Sequence, residues 1–81
     1  MAIAYGKDLA RFDDVASVEE AETLLQWVQD CPSGQVDFTT CRHLHAANLQ
    51  VLMAARVAVA AWPQDEELAL WLQAALTSRQ E

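Results

Sequence analysis

Val36-Asp37-Phe38-Thr39-Thr40-Cys41-Arg42-His43-Leu44-His45-Ala46-Ala47-Asn48-Leu49-Gln50-Val51-Leu52 decides the fold, because the spacing of its apolar residues changes part-way along. From Gln35 to Thr40, Val36 and Phe38 alternate with Asp37 and Thr39, the two-residue repeat of a strand with one buried face. From His45 or Ala46 to Ala55 or Arg56 the spacing is helical: Leu44, Ala47, Val51, Leu52 and Ala55 fall on one stripe, broadened by Leu49 and Met53. A helix apolar on most sides is usually one buried against a sheet. Val57-Ala58-Val59-Ala60-Ala61 follows as a short apolar run, which reads as a strand covered on both faces. Because alanine suits either state, a helical continuation through this run is the alternative.

Toward the N-terminus, Ser17-Val18-Glu19-Glu20 has the pattern of a capping box, in which Ser17 and Glu20 satisfy each other's backbone N–H. Behind it Val18, Ala21, Leu25 and Val28 recur at helical spacing, and Pro32-Ser33-Gly34 ends the helix. Before it, Ala2–Tyr5 and Leu9–Phe12 flank Gly6-Lys7-Asp8, predicting a hairpin. Toward the C-terminus, Pro63 breaks the chain and Asp65-Glu66-Glu67 opens a third helix, with Leu68, Trp71, Leu72, Ala75 and Leu76 on its apolar face. The polar tail Thr77–Glu81 is expected to fray. The predicted order is ββαβαβα: one α/β domain over residues 1–81, with a mixed four-stranded sheet and three helices. With so few strands the helices are expected on one face, leaving the other partly open.

The formal charge of −7, from twelve acids against five bases, disfavours nucleic acid and anionic membrane as partners. Lys7, Arg11, Arg42, Arg56 and Arg79 are scattered and form no stripe. No apolar run approaches membrane-spanning length, and the start of the chain has no secretory pattern, so a cytoplasmic location is expected. Two cysteines are too few for a disulfide scaffold and are expected to be reduced.

The strand-to-helix stretch resembles the core motif of STAS domains, in which a "V-D-[LF]-S" strand leads through a short link to "[FI]-[IL]-D-S-[SA]-G-L-Q-[VA]-L". Val36-Asp37-Phe38 and Leu49-Gln50-Val51-Leu52 carry the match, and Phe12-Asp13-Asp14 stands where that family has its "L-x-G-x-L" strand end. The resemblance implies a non-catalytic interaction module, similar to anti-sigma-factor antagonists, stressosome components, tails of anion transporters and a phospholipid-transport subunit. It implies another protein as partner, a kinase-like anti-sigma factor or a transporter subunit. The positions of the family's "D-S-S-G" read His45-Ala46-Ala47-Asn48 here, so the usual phosphoacceptor hydroxyl is absent. The expected partner-binding residues are Arg42, His43, His45, Ala46, Asn48 and Gln50. The histidines would make binding sensitive to pH near 6–7.

Other constellations are weaker. Cys31, Cys41, His43 and His45 are ligand types that zinc accepts, but they lack the paired spacing of structural zinc sites, and no cofactor is expected. Cys41 beside histidine has the makings of a nucleophile, yet nothing supplies an orienting third group, so the chain does not read as an enzyme. Asp13-Asp14 would point to opposite faces of a strand and reads as a solvated turn. Thr39 and Thr40 read as β-formers before phosphate acceptors. Trp62 is the tryptophan expected to be exposed, a weak hint of recognition through Ala61–Gln64. The alternative to partner binding is a homodimer formed through the open sheet face.

Overall fold

A computed structural model describes residues 2–77. The elements are β1 (Ile3–Tyr5), β2 (Leu9–Phe12), β3 (Asp14–Ala16), a 3-10 turn (Val18–Glu20), α1 (Ala21–Asp30), β4 (Gln35–Asp37), β5 (Cys41–Leu44), α2 (Ala46–Ala55), β6 (Ala58–Ala61) and α3 (Glu66–Thr77). The main sheet has the order β1-β2-β4-β6, with β1 antiparallel to β2 and the other pairs parallel. This is the mixed four-stranded α/β sheet with three helices that the alternating pattern predicts. The C-terminal tail expected to fray, beyond Thr77, lies outside the described residues.

Beyond that expectation stand β3 and β5, which pair in parallel as a second, two-stranded sheet. They continue β2 and β4, so two neighbouring strands pass from one sheet into the next. The passage on one strand is a kink at Asp13-Asp14, where Asp14 adopts a left-handed φ of 59° and a bulge follows. Aspartate tolerates that conformation better than most side chains. On the other strand, the Asp37 carboxylate accepts from the Thr39 N–H (2.8 Å) and the Thr39 hydroxyl (2.6 Å), closing an Asx-type turn. The Asp14 N–H then donates to the Thr40 carbonyl, bridging the two kinks.

The inner face of the main sheet presents Ile3, Ala10, Phe12, Val36 and Phe38 to the helices, with Phe12 and Phe38 ring centroids 5.0 Å apart. The outer face leaves Ala4, Leu9, Arg11, Gln35, Ala58 and Ala60 exposed, so one side of the sheet is bare. β6 is consequently an edge strand covered on one face, where the apolar run had predicted cover on both. Its alternate residues Val59 and Ala61 are half-buried, and Ala58 and Ala60 are exposed.

Three other expectations are corrected. The capping box at Ser17 does not form: the first turn is 3-10, so the Glu20 N–H bonds the Ser17 carbonyl at 3.1 Å and the hydroxyl is not used. The buried stripe of α1 is Leu24, Trp27 and Val28; of the predicted stripe, Val18 and Leu25 are 52% and 44% exposed. The larger side chains take the sheet, turning the smaller stripe outward. Trp62 is half-buried, stacked on Phe38 with centroids 6.5 Å apart, and it is Trp71 that is exposed.

At the end of α1, Trp27 donates its indole N–H to the Gly6 carbonyl at 3.1 Å and lies beside Tyr5. Gly34 is packed against that ring: a Cβ there would sit 2.5 Å from Trp27 Cη2 and 3.1 Å from the Cys31 carbonyl oxygen. Gly34→Ala is therefore expected to destabilise the fold by about 1–3 kcal/mol through overpacking. A fall in Tm on the order of 10 °C in thermal melts checks it, while an unchanged Tm would show that the indole moves freely.

Candidate interaction surface

The sequence-predicted residues lie along β5 and the first turns of α2, where the second sheet delivers the chain to the helix. Arg42 and His43 are exposed on β5. The Arg42 guanidinium is 3.1 Å from Asp14 Oδ1, an exposed ion pair. Pairs of that kind contribute about 0–1 kcal/mol, so this one orients the side chain more than it holds the fold.

His45 is the N-cap of α2. Its backbone is extended, and its Nδ1 accepts from the Ala47 N–H at 3.0 Å. The resemblance places an aspartate at this position, and a neutral imidazole performs the same capping task with a different acceptor. Ala46 and Gln50 face solvent. A partner approaching the helix start would thus meet a methyl group where a hydroxyl-bearing side chain would stand in the resembling family.

Asn48 behaves differently from the rest. It is fully buried, and its Nδ2 donates to the carbonyls of Ser17 (2.8 Å) and Ala16 (3.3 Å). The His45 N–H also donates to Ala16, at 2.9 Å. Asn48 therefore supports the surface from beneath; a lone asparagine beside Leu49 and Leu52 on a helix without charge was the signal in the sequence. Its Oδ1 has no protein partner.

The structure does not gather the cysteines and histidines. Cys31 Sγ is 3.5 Å from the Lys7 carbonyl, whereas Cys41 Sγ is 3.5 Å from the His43 carbonyl, not its ring. Among the described residues no three His, Cys, Asp or Glu side chains are placed to share a metal ion. Burial pushes the Cys41 thiol up to about 11, the opposite of the shift that activates a nucleophile. Thr39 and Thr40 both give their hydroxyls to carboxylates, of Asp37 and Asp13. A phosphate on either would meet those negative charges. Asp13 also lies 3.4 Å from the Arg11 guanidinium. A shallow depression of ≈ 270 Å³ opens beside this loop, lined by Thr39, Thr40, Cys41, Arg42, Gln64 and Asp65.

Sequence reasoning missed the cleft between α1 and α2. Two adjoining concavities of ≈ 390 and ≈ 420 Å³ share Leu25, Val51 and Ala54. Ala47 and Gln50 line the first, joining the cleft to the start of α2. The signal was the Val18-Ala21-Leu25 stripe itself, read as core.

Comparison of the chain with protein-family models, with curated proteins and with solved structures finds no match. Among the described residues, no helix is long and apolar enough to cross a membrane.

Two outcomes follow from this geometry. Asn48→Leu is expected to cost about 1–2 kcal/mol by removing the two side-chain hydrogen bonds to Ser17 and Ala16, whose carbonyls keep their backbone donors Glu20 N–H and His45 N–H. Asn48→Asp should cost more at neutral pH, since a carboxylate would face two carbonyl oxygens, and its deficit should shrink as acid protonates it. Urea midpoints at pH 7 and at pH 4.5 distinguish these outcomes from a merely space-filling role. At the alkaline end, burial, aided by the Glu20 charge, raises Tyr5 from 10.0 to about 12, and burial raises Cys41 from 9.0 to about 11. The unfolded chain therefore releases protons that the folded chain keeps, so stability is intact below about pH 9 and falls toward pH 12. Urea midpoints across that range should decline, and the decline should flatten in a Tyr5→Phe, Cys41→Ala double variant.

Proposed function

We propose that this chain is a STAS-like module, a non-catalytic protein–protein interaction domain of bacterial signalling or transport regulation acting in the cytoplasm. Its partner is a protein of the kinase-like anti-sigma-factor or transporter-subunit type. It docks through the exposed start of α2, with Arg42, His43, His45, Ala46 and Gln50 at the contact and Asn48 fixing their support.

One observation carries this reading. The stretch with the STAS-like motif folds as strand, turn, short strand and helix, and the position that resembles the family's phosphoacceptor, Ala46, is exposed on the first turn of α2. With alanines at 46 and 47 there is no hydroxyl to modify, so docking here does not depend on phosphorylation of that turn. Small side chains also let a partner's backbone come close to the helix. The bare sheet face, the surface for a homodimer, offers one large apolar side chain, Leu9, among the methyls of Ala4, Ala58 and Ala60 and the polar Arg11 and Gln35.

The test is an affinity pull-down from native cytoplasm with the wild-type chain and Ala46→Glu, the variant's fold verified by circular dichroism. Specific loss of one captured protein in the variant is the expected result. Capture of the same partners by both proteins would remove the start of α2 as the interface.

A further inference from the structure

We propose that the cleft between α1 and α2 receives an amphipathic helix of a second protein, apolar on the face it lays into the cleft and basic on its flanks. This rests on the reading of α2 as the docking element and supplies the partner's chemistry.

Both walls of the cleft are apolar without being covered. On α1, Leu24, Trp27 and Val28 take the sheet, and the smaller stripe through Ala21 and Leu25 turns toward the cleft. On α2 there is no charged residue from Ala46 to Ala55, so its solvent side, including Gln50 and Ala54, is as uncharged as its buried side. A surface helix ordinarily carries charge on its outer face, and one without it is ordinarily covered. Each wall is a ten-residue helix, about 15 Å long, which matches about three turns of a partner helix. Laying an apolar helix face into a groove is a recurrent mode of recognition.

Charge selects the partner. Glu22 lines the cleft on α1, which carries no base, while among the described residues the one base beside the cleft is Arg56, the cap at the far end of α2. The rim therefore favours lysine or arginine on the incoming helix. A second copy of this chain is a poor occupant for the same reason. The helices Ala21–Asp30, Ala46–Ala55 and Glu66–Thr77 contain no lysine or arginine, and two of the three carry acids. Any of them laid into the cleft would bring no positive charge along its length, Arg56 standing only at the end cap of the second.

The probe is a fluorescein-labelled leucine–lysine amphipathic peptide about four turns long, titrated by anisotropy against the full chain, with a leucine–glutamate peptide of the same pattern as control. Saturable binding of the lysine peptide is expected, weakened about tenfold or more by Leu25→Asn. Glu22→Lys should weaken it severalfold and reduce its salt dependence. Leu70→Asn, at an exposed leucine on α3, should leave it unchanged. Equal binding by wild type and Leu25→Asn, or equal binding of the glutamate peptide, would overturn the proposal. So would a concentration-dependent dimer in light scattering that Leu25→Asn dissolves, since the occupant would then be a second copy. The two readings separate in the pull-down: a partner lost with Ala46→Glu but kept by Leu25→Asn leaves the helix start as interface and removes the cleft.

Discussion

The placement of α2 depends on the side chain of Asn48. Its amide donates to Ser17 and Ala16 while the His45 N–H donates to the same Ala16 carbonyl, so the first turn of α2 is tied to the end of β3 and to the turn that starts α1. A leucine would fill the volume, but it would be indifferent to small rotations of the helix. Two directed hydrogen bonds are not. Each is worth only about 1 kcal/mol net, so the contribution lies in position more than in stability. The tie fixes the start of α2 beside the turn that leads into α1, where the two helices then pack side by side.

That tie is possible because β2 and β4 do not end where the main sheet ends. Both strands kink and resume as β3 and β5, carrying Ala16 and Leu44 out to where α2 begins. The kinks are stabilised by short polar side chains: Asp14 takes the left-handed conformation, Asp37 closes its turn with Thr39, and the Thr40 hydroxyl donates to Asp13. Beneath them Phe12 and Phe38 hold the two strands together from the core side. The aspartates and threonines of this region are consumed in shaping the backbone. That gives them a structural reason to be present that requires no ligand.

The four main strands and three helices were legible because each has a clear apolar repeat or a sharp boundary, such as Gly6-Lys7-Asp8 or Pro32-Ser33-Gly34. The second sheet was not, because Asp14–Ala16 and Cys41–Leu44 bury their residues without a two-residue alternation, only Ala16 in the first and the two ends, Cys41 and Leu44, in the second, and their pairing is set by tertiary contact. The face of α1 was misassigned for a related reason. Val18, Ala21, Leu25 and Val28 and the set Leu24, Trp27 and Val28 are both helical stripes, and spacing alone does not say which meets the sheet. Trp27 decides: its indole bonds the Gly6 carbonyl and lies beside Tyr5, so the side of Leu24, Trp27 and Val28 meets the core and Val18 and Leu25 stay outside. Of the predicted contact residues, five lie on the surface and Asn48 beneath it, since an amide reads equally well as contact or as internal support.

The arrangement at the start of α2 has a chemical consequence beyond its shape. An aspartate cap carries a negative charge that complements the positive end of the helix dipole. His45 caps with a neutral ring, whose Nδ1 accepts only while it is unprotonated. Asn48 anchors the same turn through neutral groups. The fold thus separates two tasks that one capping carboxylate would combine: the buried amide fixes where the helix begins, and the exposed imidazole completes its end. An exposed turn anchored from beneath presents a small, uncharged surface at Ala46 and Gln50, continuous with the uncharged wall of the cleft.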